Sequence, residues 1–198
     1  MKKMFAALVL STAASMGHTE TYDLTMASSH PTVLPWVGQL STLVVAESNT
    51  RLEAMGSEDR IEWTEAYGGS LYGFKDTLEA VGDGLTDAGR VGTLWEGSKM
   101  PLQNVTYFTP FVSDDLVRTL QIMNELHREV PALQEAWEAQ NVVFLGASGV
   151  ETYHLMTNFT VNSLEDLKGR KILAPGPSAN WIKHRGAVPV NGALPTYY

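Results

Sequence analysis

The chain's five histidines are its side chains best suited to catalysis or metal binding at neutral pH. A metal site needs several ligands at short, regular spacings, and a catalytic histidine needs a nucleophile or an acid placed beside it. The histidines show neither arrangement and predict neither a metal site nor a catalytic group. We interpret His30 as a turn residue able to hydrogen-bond a small molecule. The five are His18, His30, His127, His154 and His184.

Three other segments come close to catalytic or nucleotide-binding patterns, and each lacks part of the pattern. Gly146-Ala147-Ser148-Gly149 lacks the residues of a nucleophile elbow. Gly89-Arg90-Val91-Gly92 is too short for a dinucleotide-binding loop. Asp114 and Asp115 are typical of a helix N-terminus, where their charge is favourable to the dipole, rather than of an acid–base pair. An enzyme is therefore the less favoured class, and no cofactor is predicted.

Composition excludes further classes of function. The chain has no cysteine, which excludes disulfides, thiolate nucleophiles and cysteine metal sites. Its net charge of -8 comes from acidic residues scattered along predicted helices, without a basic stripe. This distribution argues against binding to nucleic acid or to an anionic membrane surface.

The N-terminus has the pattern of a signal peptide, predicted over residues 1–20. Lys2 and Lys3 precede an apolar run over residues 4–10, and small residues follow that run. The run is shorter than the roughly 18 residues that span a bilayer. We therefore expect an exported protein that works outside the cytoplasm, in the periplasm.

Hydrophobic periodicity in the rest of the chain alternates short strands with helices, which predicts an α/β fold. Apolar residues at helical spacing predict helices over 33–44, around Leu78, and over 114–140, where Pro131 is expected to break the helix. Ser163 and Asp166 match a capping box for a short helix that ends at Gly169, and another helix is predicted around Trp181. The predicted strands are 22–27, 61–64, 86–92, 142–145, 153–157, 171–174 and Val188–Val190.

Several short phrases occur along the chain in a fixed order. They are YDLT at 22–25, GSLYG at 69–73, DTLEAV at 76–81, GLTDAG at 84–89, PF at 110–111, Asn158, DLKGRKI at 166–172 and GAVPV at 186–190. Together they resemble the solute-binding receptors of tripartite ATP-independent periplasmic (TRAP) transporters, of the dicarboxylate-receptor or DctP-like type.

This resemblance implies a two-lobe periplasmic binding protein fold that closes on its ligand. It implies a complete first lobe over 22–145 and the opening part of a second lobe over 146–198, so the chain is expected to be truncated within that lobe. The implied function is capture of a small organic solute, expected to bear a carboxylate, and its delivery to TRAP membrane subunits without catalysis.

The resemblance also places ligand-binding side chains in loops at strand ends. By position it implies Ser29 and His30 after the first strand, Tyr72 after the second and Thr93 after the third. On the strand after Lys-Gly-x-Lys the family commonly carries an arginine, whose planar fork clamps a carboxylate. This chain has Leu173 at that position.

Because leucine cannot pair with an anion, either another cation replaces the family arginine or the solute is not the usual carboxylate. Arg90 is one candidate cation, with a surface ion pair to Asp83 or Asp87 as the equal alternative. Lys171 is a second candidate if it shares a face of its strand with Leu173.

Four further positions complete the expected site. Tyr153 occupies a position that is arginine in some family members, and Trp181 and Leu194 are placed near the second-lobe wall. Such a lining suggests a bulkier or less charged solute, although each residue alone is more typical of core packing. Asn158 either hydrogen-bonds the ligand or caps the following turn.

Two other classes remain open from the sequence. The receptor of an ATP-driven importer shares the two-lobe plan and the phrase at 166–169, and a periplasmic enzyme is the less favoured alternative. The helical content between 116 and 140 and the phrases over 76–89 favour the TRAP type.

Overall fold

The computed structural model describes residues 19–73, 75–150 and 152–192. Within them the chain forms two parallel β-sheets with helices between their strands, which is the α/β class that periodicity predicted. Most of the expected signal peptide, together with Leu194 and the other residues after 192, lies outside the described residues.

The first sheet has β1 (Thr21–Ala27) at its centre, β2 (Arg60–Ala66) on one side and β3 (Ala88–Gly89) on the other. All pairings are parallel, and Ala27 lies opposite Gly89. Parallel neighbours need a crossover connection, which helices supply here. The carboxyl ends of the three strands therefore lie along one edge of the sheet.

The crossover from β1 to β2 differs from the single helix predicted over 33–44. It contains α1 (Pro35–Gln39), which continues as π-helical turns over Leu40–Val45, and then α2 (Ser48–Ala54). The first helix begins at Pro35 because proline is well suited to the first turn, where its missing N–H is not needed. The shorter crossover from β2 to β3 contains α3 (Thr77–Gly82), as expected.

The next helices follow the predicted break. After the short α4 (Val105–Phe108), α5 (Leu116–Glu129) ends just before Pro131, where α6 (Pro131–Glu138) begins. The Asp115 carboxylate accepts a hydrogen bond from the Arg118 backbone N–H at 2.9 Å. The interpretation of Asp115 as part of a helix N-terminus is therefore confirmed.

The second sheet pairs β4 (Lys171–Leu173) with β5 (Val188–Val190) in parallel, and α7 (Ala179–Lys183) connects them. The predicted capping box is present, with Ser163 and Asp166 satisfying each other's backbone at the start of a 3₁₀ turn. The lobe boundaries at 145 and 146 stay a prediction.

Two predicted strands are wrong. Residues 142–145 and 153–157 form no strand, because no neighbouring strand pairs with them within the described part of the chain. Val142 is instead buried against helices, in a cluster with Leu78, Met100 and Trp137. The third predicted strand, 86–92, is reduced to Ala88–Gly89, and the Thr86 hydroxyl before it donates to the Thr25 carbonyl of β1.

None of the helices within residues 19–73, 75–150 and 152–192 is both long and apolar enough to cross a membrane.

The two sheets approach each other through a glycine. Gly176 follows β4 in a 3₁₀ turn with a φ of +52°, and a Cβ there would overlap the carbonyl oxygen of Leu94. Gly169 has a φ of +74° with open space around it. The close approach therefore requires glycine at 176 for space as well as for backbone conformation.

We predict that Gly176→Ala destabilises the protein more than Gly169→Ala does. Both substitutions force alanine into the left-handed region, at about 1–2 kcal/mol. Only Gly176→Ala also displaces a backbone neighbour, which adds about 1–3 kcal/mol. Urea unfolding of the two variants measures the difference, and equal midpoints would contradict the proposed contact.

Candidate functional site

The candidate site lies where the parallel strands of the first sheet end. Ala27 and Gly89 are paired at the ends of β1 and β3, so the turn over 28–30 and the segment after Arg90 leave the sheet side by side. Ser29 Oγ and His30 Nδ1 are 3.0 Å apart. Ligands of open α/β sheets bind at such an edge.

A small cavity, here called the strand-end cavity, lies at this edge. Its volume is about 20 Å³, which is room for about one water molecule. Side chains from both strand-end segments and from the neighbouring helices enclose it. The lining residues are Ser28, Ser29, His30, Trp36, Lys75, Thr77, Arg90, Val91, Gly92, Trp95 and Glu96.

Arg90 is the half-buried cation of this cavity. Its Nε donates to Ser148 Oγ at 2.8 Å, and its guanidinium lies 5.8 Å from the ring centre of Trp36. The expected ion pair with Asp83 or Asp87 is not formed, and Asp87 accepts from the Thr25 backbone N–H instead. Within the described residues no carboxylate pairs with Arg90.

Arg90 also influences its neighbours electrostatically. Burial lowers the pKa of Arg90 below its ordinary value, although a guanidinium remains charged at neutral pH. Burial also lowers the pKa of His30, and the nearby Arg90 charge lowers it further. The imidazole is therefore neutral at pH 7, next to a fixed positive charge.

Three aromatic residues, here called the aromatic cluster, join distant parts of the chain beside Arg90. The Tyr107 and Trp181 rings stack with centres 5.7 Å apart, and the Tyr107 and Tyr153 hydroxyls are 2.9 Å apart. Trp181 Nε1 donates to the Tyr107 carbonyl at 2.7 Å. Burial raises the pKa of Tyr107, and Arg90 opposes that rise.

Other predicted site residues lie elsewhere. Tyr72 is not at an open cleft but is buried with Ala27 and Ala80, because its ring fills the space beneath the strand ends. Thr93 lies next to the lining segment, and its carbonyl accepts from Asn104 Nδ2. Asn158 is exposed, and its side chain makes neither predicted contact with the residues that the structure describes.

Leu173 and Lys171 lie on the same exposed face of β4, while Ile172 between them is half-buried. Lys171 thus meets the geometric condition set for it as a substitute cation. Neither residue lines the strand-end cavity. Leu194 lies outside the described residues.

Sequence reasoning missed several residues that surround Arg90. Trp95 and Glu96 follow Thr93 directly, so extending the third strand's loop to Glu96 would have included them. No sequence pattern connects Ser148 or Tyr107 with Arg90. Ser148, for example, lies 58 positions from Arg90 along the chain, and only the tertiary fold brings the two together.

A second, larger cavity of about 330 Å³ is lined in part by Tyr107 and Trp181 of the aromatic cluster. The second cavity is lined by Tyr107, Phe108, Pro110, Phe111, Asn180, Trp181 and Arg185.

No group of three or more metal-ligating side chains occurs in the part of the chain that the structure describes.

We predict that the pKa of His30 lies below 6.5, its ordinary value. Arg90→Gln should raise this pKa by removing the nearby positive charge. It should not restore the ordinary value, because the burial of His30 remains. The unfolded chain then takes up the proton first, so His30 costs stability as pH falls below about 6.5 and nothing above that pH. NMR titration of the His30 ring measures both midpoints, with Arg51→Gln as an exposed control. An unchanged midpoint in Arg90→Gln would refute the electrostatic coupling.

No protein-family model matches the sequence, and no curated protein matches it. Solved structures do match its fold. The Bordetella pertussis receptor DctP6, an extracytoplasmic solute receptor binding pyroglutamic acid, matches with a TM-score of 0.60 and 18% identity, over 86% of this chain and 54% of that one.

Two further structures match similarly. A marine-metagenome TRAP solute-binding protein specific for aromatic acid ligands, solved with 3-hydroxybenzoate, has a TM-score of 0.65 and 17% identity, over 89% of this chain and 53% of that one. A TRAP periplasmic solute-binding protein from Pseudomonas putida with bound D-glucuronate has a TM-score of 0.59 and 24% identity, over 86% and 54%. This chain spans about half the length of each. It has the α/β fold of the TRAP periplasmic solute-binding proteins, which confirms the fold that the order of its sequence phrases implied.

Proposed function

We propose that this chain belongs to a TRAP solute receptor that captures a small organic acid outside the cytoplasm and delivers it to membrane subunits. The observation that carries the proposal is the fold, which is shared with receptors whose bound solutes include pyroglutamic acid, 3-hydroxybenzoate and D-glucuronate. Each of those solutes bears a carboxyl group. Export through a signal peptide over residues 1–20 is part of the same proposal.

Arg90 is the proposed anchor for the solute's carboxylate. Its guanidinium is half-buried, its Nε is already oriented by Ser148, and no carboxylate within the described residues neutralises it. A guanidinium binds a carboxylate through two parallel charge-assisted hydrogen bonds. A charge left unpaired in a partly buried site is costly to the free protein, and a solute carboxylate supplies the missing partner.

The residues around Arg90 complete the proposed site. Ser29 and His30 offer a hydroxyl and a neutral imidazole at the cavity, and Thr93 continues the segment that carries Arg90. Tyr153 and Trp181 form an aromatic wall. Contacts from Tyr72, Asn158, Leu173 and Leu194 remain predictions from the family resemblance.

Binding without catalysis is the expected activity. A catalytic His30 would need a base or nucleophile positioned against a reacting atom. His30 Nδ1 lies 3.0 Å from the neighbouring Ser29 hydroxyl, its ring stacks on that of Trp95, and the Arg90 charge is close by. These groups are suited to hydrogen-bonding an anion.

We predict that D-glucuronate, pyroglutamate or 3-hydroxybenzoate stabilises the chain in a thermal-shift screen. A ligand at a hundred times its dissociation constant contributes about 2.7 kcal/mol, which is roughly 5–10 °C for a chain of this size. D-glucose is the neutral match for D-glucuronate and is expected to give no shift. Equal shifts from glucose and glucuronate would argue against carboxylate recognition.

Arg90→Gln is expected to weaken carboxylate binding by about 2–5 kcal/mol, because it removes one partner of a desolvated charge pair. Isothermal titration measures the loss. Arg51→Gln is the matched control, since Arg51 lies on an exposed helix face and pairs with Glu47. Full binding by Arg90→Gln would remove Arg90 from the proposed site.

A further inference from the structure

Glu96 is a buried acid in the strand-end cavity that the proposed function leaves without a role. It is only 8% exposed and ends the 3₁₀ turn that follows the Arg90 segment. Within the described residues, its carboxylate takes part in no hydrogen bond and no ion pair. Carboxylates are rarely buried in this way unless a partner is present.

The lysines near Glu96 form no ion pair with it. Lys99 pairs with Glu79 instead, and Lys75 lines the cavity without forming an ion pair with Glu96. Burial raises the pKa of Glu96 and the neighbouring Glu79 charge raises it further, while the Lys99 and Lys75 charges oppose that rise. The described side chains therefore leave the Glu96 carboxylate available to accept a hydrogen bond from a bound group.

Glu96 and Arg90 line the same cavity without pairing with each other. The groups that line the cavity therefore include both a hydrogen-bond acceptor and a cationic donor. Its volume of about 20 Å³ admits a group about the size of one water molecule. A single hydroxyl or N–H group of a larger solute fits such a space.

We propose that Glu96 forms a subsite that accepts a hydrogen bond from one O–H or N–H donor of the solute, while Arg90 holds the solute's carboxylate. The solute class is then a carboxylate that carries a small donor group, rather than a plain carboxylate. This inference rests on the proposed carboxylate-binding function. Glu96 acts in it as a residue that determines specificity.

Matched pairs of solutes test the subsite. Each pair has one carboxylate skeleton with and without a donor: 3-hydroxybenzoate against benzoate, and pyroglutamate against 3-oxocyclopentanecarboxylate. We expect the wild-type chain to prefer the donor-bearing member of at least one pair by roughly 10- to 100-fold, the range for a hydrogen bond to a charged group. Isothermal titration gives the ratio.

Glu96→Leu is expected to reduce the preference for the donor-bearing member of the pair to about threefold or less. The affinity for the member that lacks the donor should stay within about threefold of the wild-type value. Glu96→Gln keeps an acceptor oxygen without the charge and is expected to retain part of the preference. Glu138→Gln, on the exposed face of α6, is the matched control. Both Glu96 variants should melt near the wild-type temperature, because neither removes an ion pair from the described part of the chain.

The outcomes separate the two proposals. The Glu96 subsite is overturned if the preference for the donor-bearing solute survives Glu96→Leu, or if the wild-type chain shows affinity ratios near one in both pairs. In either case, Arg90-dependent binding of the plain acids still supports the receptor function. Failure of every carboxylate to bind the wild-type chain overturns both. If Glu96→Leu does not fold, the same ratio measured with Glu96→Gln decides, and an undiminished ratio there overturns the subsite.

Discussion

The arrangement of this molecule centres on a positive charge enclosed where two parallel strands end. The pairing of Ala27 with Gly89 brings the segments after β1 and β3 together, and Arg90 leaves the sheet at that point. A half-buried guanidinium must be oriented and partly solvated by neighbours, because removing it from water costs free energy. Ser148, Trp36 and the tyrosine hydroxyls beside it supply that environment. The proposed carboxylate solute would complete that environment.

The same region is where the two sheets meet. Gly176 lies against the Leu94 carbonyl, and the Trp181 indole N–H donates to the Tyr107 carbonyl. Both contacts join a segment before residue 110 to one after residue 175. The residues proposed to bind solute therefore belong to segments whose relative position depends on these few contacts. In this arrangement the segments proposed to bind the ligand also hold the two sheets together.

Local sequence signals predicted much of the fold. The break at Pro131 and the capping box at Ser163 depend on neighbouring residues, so they could be read directly from the chain. The segment 142–145 was misread because an apolar run gives the same signal whether it pairs with a strand or packs on helices. At the site, Ser29, His30 and Arg90 could be predicted from their position after strands. Tyr107 and Ser148 could not, because only the tertiary fold brings them to Arg90.

The position of the solute's carboxylate tests the central claim most directly. A crystal structure of the protein with D-glucuronate, or with whichever acid binds most tightly, is predicted to place both carboxylate oxygens about 2.7–2.9 Å from guanidinium nitrogens of Arg90. A carboxylate bound instead to Lys171 or Arg185, with Arg90 uncontacted, would contradict the account.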